Sequence, residues 1–491
     1  MSKQFRLFYL TIASAALILQ IFTHAVGQDI SATVKLEKRL PKRVEITGKF
    51  AEPALRKLGR NLSFASTYAG IPLLETRISD LRTFDGAGRS VMVRRITDGE
   101  YLAEKDYSGF SYAVEVGSPS RPSATPHISW VDGELGILMF SDLFPQSFGD
   151  GRLSSQVTFA LPTGWSIRSS ATFATRNALV TDDPYTLVAF VGDGWRDSKV
   201  PNTPIALAIA GERHFSDAEA SAMVREIYGE YKKVFGRDPA SRVQIGIVPF
   251  GGLSHSGEWY AETRGATVTI ASTDLPFKTQ SMQRLHEQLR HELIHLWMPN
   301  GMSLKGRYDW FYEGFALYES LKAGVRLNRI RFEDFLDTLN RAHRFDDAIL
   351  PKESMVDASE NRWFGGNDRI YARGILVAFL CDLALLQRSK GSRSVETVLS
   401  TIYTQYGKTS EPEDANVAVL RLLRSYPELS PTIDRYITGK ERITWDLELR
   451  SAGIETSGTG LAVTAKPNRS QKALLDKLGY NNWRNLSQNP K

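Results

Sequence analysis

One stretch limits what this chain can fold into more than any other. It is Arg290-His291-Glu292-Leu293-Ile294-His295-Leu296-Trp297, an H-E-x-x-H pattern set in a helical stripe. Leu285, Leu289, Leu293 and Leu296 recur at helical spacing. That spacing predicts a helix from about Met282 with a buried apolar face, stopped by Pro299, Asn300 and Gly301. A helix turns once every ~3.6 residues, so His291 and His295 share a face and can hold one metal ion together. Glu292 lies on the same turn, placed to reach a water on that metal. A catalytic zinc needs a third protein ligand and an open fourth position. Glu313, eighteen positions after His295, is the candidate third ligand. The nearby His286-Glu287 does not repeat the motif, because its fifth position is Arg290. The helical turn carries His286 off the metal face, and it reads as solvated or structural.

The rest of the composition bounds the context. A chain of 491 residues is too long for one ordinary domain and predicts two or three. Its 42% hydrophobic and 24% charged residues are those of a soluble globular protein. The net charge of +6 falls to +4 without Lys3 and Arg6, too little and too dispersed for a nucleic-acid partner. Lys3 and Arg6 precede an uncharged, mostly apolar run from Leu7 to Phe22, and Ala25-Val26-Gly27 supplies small residues for a peptidase. Residues 1–27 therefore read as a signal peptide cleaved before Gln28, which predicts export to a periplasm or the outside. Membrane contact is expected only if that segment is retained as an anchor; no other stretch reads as a membrane span. The single cysteine, Cys381, cannot form an internal disulfide and reads as a small buried hydrophobe.

In order along the chain, residues 28–211 read as β-rich, with short alternating runs such as Val157, Phe159 and Leu161 punctuated by Gly and Pro. No catalytic constellation is evident there, and His127 reads as a surface or core histidine. Texture changes at His214. Ser216-Asp217-Ala218-Glu219 is a capping box opening a helix that Gly236 ends. Val243–Val248 and Thr267–Ile270 read as strands on either side of a glycine-rich turn, Phe250 to Gly257. Two strands leading into a metal-bearing helix suit a peptidase, because an extended peptide can add to a sheet edge across the metal. Residues 212–330 thus read as the catalytic domain, 331–456 as a helical C-terminal domain, and 457–491 as a polar tail with a short helix over Ala473–Leu478.

His291-Glu292-x-x-His295-x-Trp297, Trp310-Phe311-x-Glu313-Gly314-Phe315 and Tyr371-x-Arg373-Gly374 together resemble the gluzincin metallopeptidases. Gly251-Gly252-Leu253-x-His255, Trp297 and the run Tyr371 to Ala378 make the chain most similar to the glycyl aminopeptidase family (peptidase family M61), and more distantly to the M1 aminopeptidases. The resemblance implies an α+β multidomain fold. It would have a β-rich N-terminal domain, a thermolysin-like α/β catalytic domain carrying the HExxH helix, and a C-terminal helical bundle or superhelix. It also implies one Zn²⁺ held by His291, His295 and Glu313, with Glu292 as general base and Tyr371 as the hydroxyl that steadies the oxyanion. Gly251, Gly252, Leu253 and Ser254 would contact substrate. Ser254 stands where relatives carry a glutamate for the substrate's amino group, and a serine cannot neutralise an ammonium. Glu258 and Glu262 are the candidate replacements.

The reading is a zinc-dependent metallopeptidase with a peptide substrate, an aminopeptidase by resemblance. An endopeptidase or altered exopeptidase is the alternative that Ser254 keeps open. An inactive zinc-bearing protein that binds peptides is the other.

Overall fold

The computed structural model describes residues 28–37, 42–52, 54, 59–146, 153–252, 254–350, 352–408, 411–458 and 460–481. The expected signal peptide, Leu253 and the end of the tail lie outside them. The fold is α+β, β-rich at its N-terminal side and helical towards its C-terminus.

An eight-stranded sheet dominates the N-terminal part. Ile30–Leu36 lies at its middle, antiparallel to Arg43–Phe50 and parallel to Ser155–Ala160. Its alternating residues Ile30, Ala32, Val34 and Leu36 are all buried, as a half-buried strand requires. A four-stranded sheet, including Leu135–Met139 and Val188–Gly192, lies against the next domain. There Trp130, Ile137, Met139, Phe190 and Trp195 pack on Ala208, Ala210, Val248 and Ala271. The Phe190 ring comes so close to Gly246 that a Cβ there would meet it at 2.4 Å. This apolar seam fixes the N-terminal part against the sheet that carries the site.

That second sheet has five strands, in the order Trp195–Lys199, Ile205–Ala210, Val243–Val248, Thr267–Ser272 and Trp259–Arg264. Its first two strands, read from sequence as the end of the β-rich region, pair with each other, and Ile205–Ala210 pairs in turn with Val243–Val248 of the region that follows. Trp259–Arg264 is antiparallel to its neighbour and forms the sheet edge beside the metal helix. Sequence reading misses this strand. Its signal is an aromatic-rich run closed by the Arg264-Gly265 turn.

The helices share one apolar core that runs from Val200 to Leu478, so the expected boundary at 330 is a change of texture inside one packed body. The capping box at Ser216 forms as expected and opens Asp217–Phe235; Gly236 closes it at φ 77°. Phe235 stacks on Trp297, whose indole N–H donates to the Arg237 carbonyl at 2.8 Å. Helix Asn367–Arg388 is long and apolar enough to cross a membrane, which corrects the expectation that only the N-terminal run is. It is instead the central core helix, with 83% of its apolar window buried and Cys381 buried among the core side chains. Its Arg373 binds Asp346 of helix Phe332–Ala348 through Nε and Nη2, both at 3.0 Å. In the tail, Arg469–Leu478 buries Leu474, Leu475 and Leu478 against the same core.

Candidate metal and catalytic site

The metal helix spans Lys278–Ile294, starting and ending a turn earlier than periodicity predicts. Leu285, Leu289 and Leu293 are fully buried, each contributing roughly 1.5–3 kcal/mol by leaving water. His295 is the C-cap, still at φ −66° and ψ −15°, so it keeps the one-turn relation to His291. His286 is buried, not solvated; its Nδ1 accepts from Arg290 Nε at 3.0 Å.

The second helix, Asp309–Arg326, brings Glu313 to the two histidines. The third, Asn367–Arg388, brings Tyr371. These two helices cross at a pair of glycines. A Cβ on Gly314 would lie 2.5 Å from Gly374 Cα, and one on Gly374 would lie 2.7 Å from Gly314 Cα. Glu313 is adjacent to one glycine and Tyr371 is three residues before the other, so backbone contact sets their separation.

The three candidate ligand atoms form a near-equilateral triangle. His291 Nε2 and His295 Nε2 are 3.2 Å apart, and Glu313 Oε2 is 3.4 Å from each. A tetrahedral zinc with bonds of ~2.0–2.1 Å has ligand–ligand edges of about 3.3–3.4 Å. The donor chemistry fits as well. His295 Nδ1 donates to the Met298 carbonyl at 2.9 Å, which turns Nε2 toward the triangle. Glu313 Oε1 accepts from Arg362 Nη2 at 2.9 Å, while the buried Oε2 has no hydrogen-bond partner among the described residues. Burial alone would raise the Glu313 pKa; His295, His291 and Arg362 outweigh it and hold the carboxyl well below its usual range. The site is therefore a buried, ionised carboxylate and two imidazoles converging on one point, a place built for a cation.

Arg362 ties the surroundings together. Its Nη1 reaches Asp309 Oδ1 at 2.5 Å and the Tyr312 hydroxyl at 3.2 Å. Its Nη2 also donates to the Tyr371 hydroxyl oxygen at 3.2 Å. Burial, then the Glu313 charge, keeps the Tyr371 pKa well above its ordinary value, so Tyr371 is a neutral O–H donor at any physiological pH. Glu292, 5% exposed, has Oε2 at 2.8 Å from the Thr263 hydroxyl.

These groups line one cavity of about 1040 Å³ that also reaches residues from the N-terminal part, Tyr68, Pro72 and His127. Glu262 of the edge strand projects into it. The Tyr68 hydroxyl donates to Glu262 Oε1, Arg264 Nη2 donates to Oε2 at 2.9 Å, and His127 Nδ1 lies 3.2 Å from Oε2. Burial opposes ionisation of Glu262, but Arg264 first and then His127 and Tyr68 reverse it and lower its pKa. The Arg264 guanidinium sits 4.1 Å over the Tyr68 ring. The β-rich region thus does contribute to the site, against the expectation from sequence.

The structure brings His291, His295, Glu313, Glu292 and Tyr371 to this cavity and leaves the glycine-rich turn elsewhere. Gly251 packs under the Trp130 ring, where a Cβ would meet it at 2.7 Å, and Gly252 lies against the Pro119 carbonyl. Gly251, Gly252 and Ser254 do not line the cavity, and Leu253 is outside the described residues. The glycines answer close packing against Trp130 and Pro119, and the expectation that this turn contacts substrate gains nothing from the cavity. Glu258 is used within its own turn, accepting from the His255 N–H at 2.8 Å. Sequence reading also misses Arg362, Thr263, Tyr68 and Arg264; no local spacing marks them.

No protein-family model matches the chain, and no curated protein does. Solved structures do. An aminopeptidase N family protein from Idiomarina loihiensis superposes with a TM-score of 0.73 at 15% identity, covering 87% of this chain and 78% of that one. An M1 zinc metallopeptidase from Deinococcus radiodurans gives 0.52 at 16% identity, covering 85% of this chain and 94% of that one. An E323A mutant of the Deinococcus radiodurans M1 zinc metallopeptidase, bound to a Tyr-Ser-Ala substrate, gives 0.52 at 14% identity, covering 85% and 94%. At such identities the likeness shows the fold.

Proposed function

We propose that this protein is an exported zinc-dependent metallopeptidase that removes residues from the amino terminus of peptides. The observation that carries the reading is the convergence of the His291–His295–Glu313 triangle with Glu292 and Tyr371 in one cavity. Solved structures of similar fold include an aminopeptidase N family protein and an M1 zinc metallopeptidase, which supports it. The narrower resemblance to the glycyl aminopeptidases rests on sequence motifs alone, as does export.

His291, His295 and Glu313 would hold the zinc. When bound, Zn²⁺ polarises a carbonyl and lowers the pKa of water towards ~7. Glu292 takes the proton of the attacking water and passes it to the leaving amine. The neutral Tyr371 hydroxyl donates to the oxygen on which negative charge develops. Arg362 helps to orient that donor, because its N–H occupies a lone pair of the Tyr371 oxygen. The substrate extends along the edge strand Trp259–Arg264, whose outer side faces the cavity. Glu262 takes the part in amino-group recognition that Ser254 cannot. Its ionised carboxylate, already shared with Arg264, is the one that a substrate's ammonium group meets on this wall.

The test compares a short peptide carrying a free amino group with its N-acetylated form, each with and without a zinc chelator. Chelation is expected to stop hydrolysis, with zinc restoring it. Acetylation is expected to lower kcat/KM by about 10-fold or more through loss of a charged hydrogen bond. Equal hydrolysis of both peptides would make the enzyme an endopeptidase; hydrolysis unaffected by chelation would remove zinc from the reading.

A further inference from the structure

Thr263 stands between the sheet edge and the base. Its hydroxyl lies 2.8 Å from Glu292 Oε2 and 2.8 Å from the Glu292 main-chain oxygen. We propose that Thr263 is a positioning residue for Glu292, holding the carboxylate in the one orientation that faces the reacting water. This inference rests on the peptidase reading above.

A glutamate side chain has several rotatable bonds, and a base must sit within hydrogen-bond reach of the proton it takes. Among the described residues, Thr263 supplies the hydrogen bond found at the Glu292 carboxylate, and it engages Oε2. Oε1 is left as the oxygen with no such bond. The hydroxyl has one proton, so the Glu292 carbonyl oxygen at 2.8 Å shares the same donation, which ties the hydroxyl to the helix turn that carries the base.

Thr263 is itself fixed from behind. Asn300 Nδ2 donates to the Thr263 carbonyl at 3.2 Å and to the His295 carbonyl at 3.0 Å. Asn300 Oδ1 accepts from the Gly265 N–H at 3.0 Å. The edge strand is therefore pinned to the same helix end that carries His295, so the base and a metal ligand share one frame. A threonine methyl group adds what serine lacks, packing that limits rotation of the hydroxyl.

The experiment uses the full chain with zinc, a peptide with a free amino group, and the variants Thr263→Val, Thr263→Ser and Glu292→Gln. Thr263→Val keeps the shape and removes the donor. It is expected to lower kcat about 10-fold, with KM and zinc content unchanged. Thr263→Ser is expected to restore most of that loss. In a Glu292→Gln background, Thr263→Val is expected to cost nothing further, because the two residues act as one unit. Wild-type turnover by Thr263→Val alongside an inactive Glu292→Gln would overturn the inference and leave the peptidase reading standing. Equal impairment of the Val and Ser variants, or loss of zinc or fold from Thr263→Val with an additive double mutant, would make Thr263 structural and overturn it too. An active Glu292→Gln would overturn the reading beneath it.

Discussion

Glu292→Gln is expected to bind zinc as the wild type does and to lose peptide hydrolysis by about 10²–10⁴-fold in kcat. The reasoning is geometric. The three ligand atoms belong to His291, His295 and Glu313, so changing Glu292 leaves the triangle intact. Glutamine matches glutamate in shape and its amide oxygen still accepts from Thr263, so the fold and the local hydrogen bond remain. What disappears is a group able to take a proton. Zinc content measured alongside steady-state kinetics checks both halves. Turnover at the wild-type rate would mean that another group is the base; loss of zinc would mean that Glu292 helps to hold the ion.

The second large effect is expected at two residues with no side chain, in Gly314→Ala and Gly374→Ala. Each new methyl carbon would meet the opposing helix backbone at 2.5–2.7 Å, closer than real carbons approach. Backbone cannot turn aside as a side chain can, so the helices must separate. Overpacking of this kind costs typically ~1–3 kcal/mol of stability. The functional loss should exceed what that figure suggests. Glu313 and Tyr371 ride on the two helices, and a displacement of ~1 Å at a reacting centre can cost about 10²-fold in rate. Gly229→Ala is the control. It lies in helix Asp217–Phe235 with nothing within 4 Å of where its methyl carbon would stand, and should stabilise by ~0.5–1 kcal/mol with activity unchanged. Thermal unfolding, zinc affinity and kcat of the three variants separate packing from chemistry. A Gly374→Ala protein with wild-type activity would show that the crossing does not set the site.

The parts of the site that are written in local periodicity are legible in the sequence itself. His291, Glu292 and His295 sit on one helical turn, and helical geometry alone orders them. Glu313 needs an assumption about distance, since nothing within the chain says that position 313 returns to the first helix. Tyr371 comes only through a family resemblance, because a tyrosine near the start of an apolar helix is otherwise a core residue. Arg362, Thr263, Tyr68 and Arg264 carry no pattern at all. Their roles exist through contacts made across the fold, such as the 194 positions between Tyr68 and Glu262. The glycine-rich turn shows the opposite situation. Gly251 and Gly252 read as a substrate cradle, yet what they share is the need to pass beneath Trp130 and Pro119. Glycine marks close approach of backbone to something, and sequence alone does not say to what.

The cavity draws on segments spread over most of the chain, from Tyr68 to Tyr371. During synthesis these emerge in order, and Tyr68, His127, Glu262 and both histidines are all present before Arg362 and Tyr371 have been made. Until Arg362 and the helix carrying Gly374 are both in place, Glu313 lacks the guanidinium bond and the backbone contact beside it. A chain made only as far as position 361 therefore holds both histidines and Glu313 without the contacts that fix their arrangement.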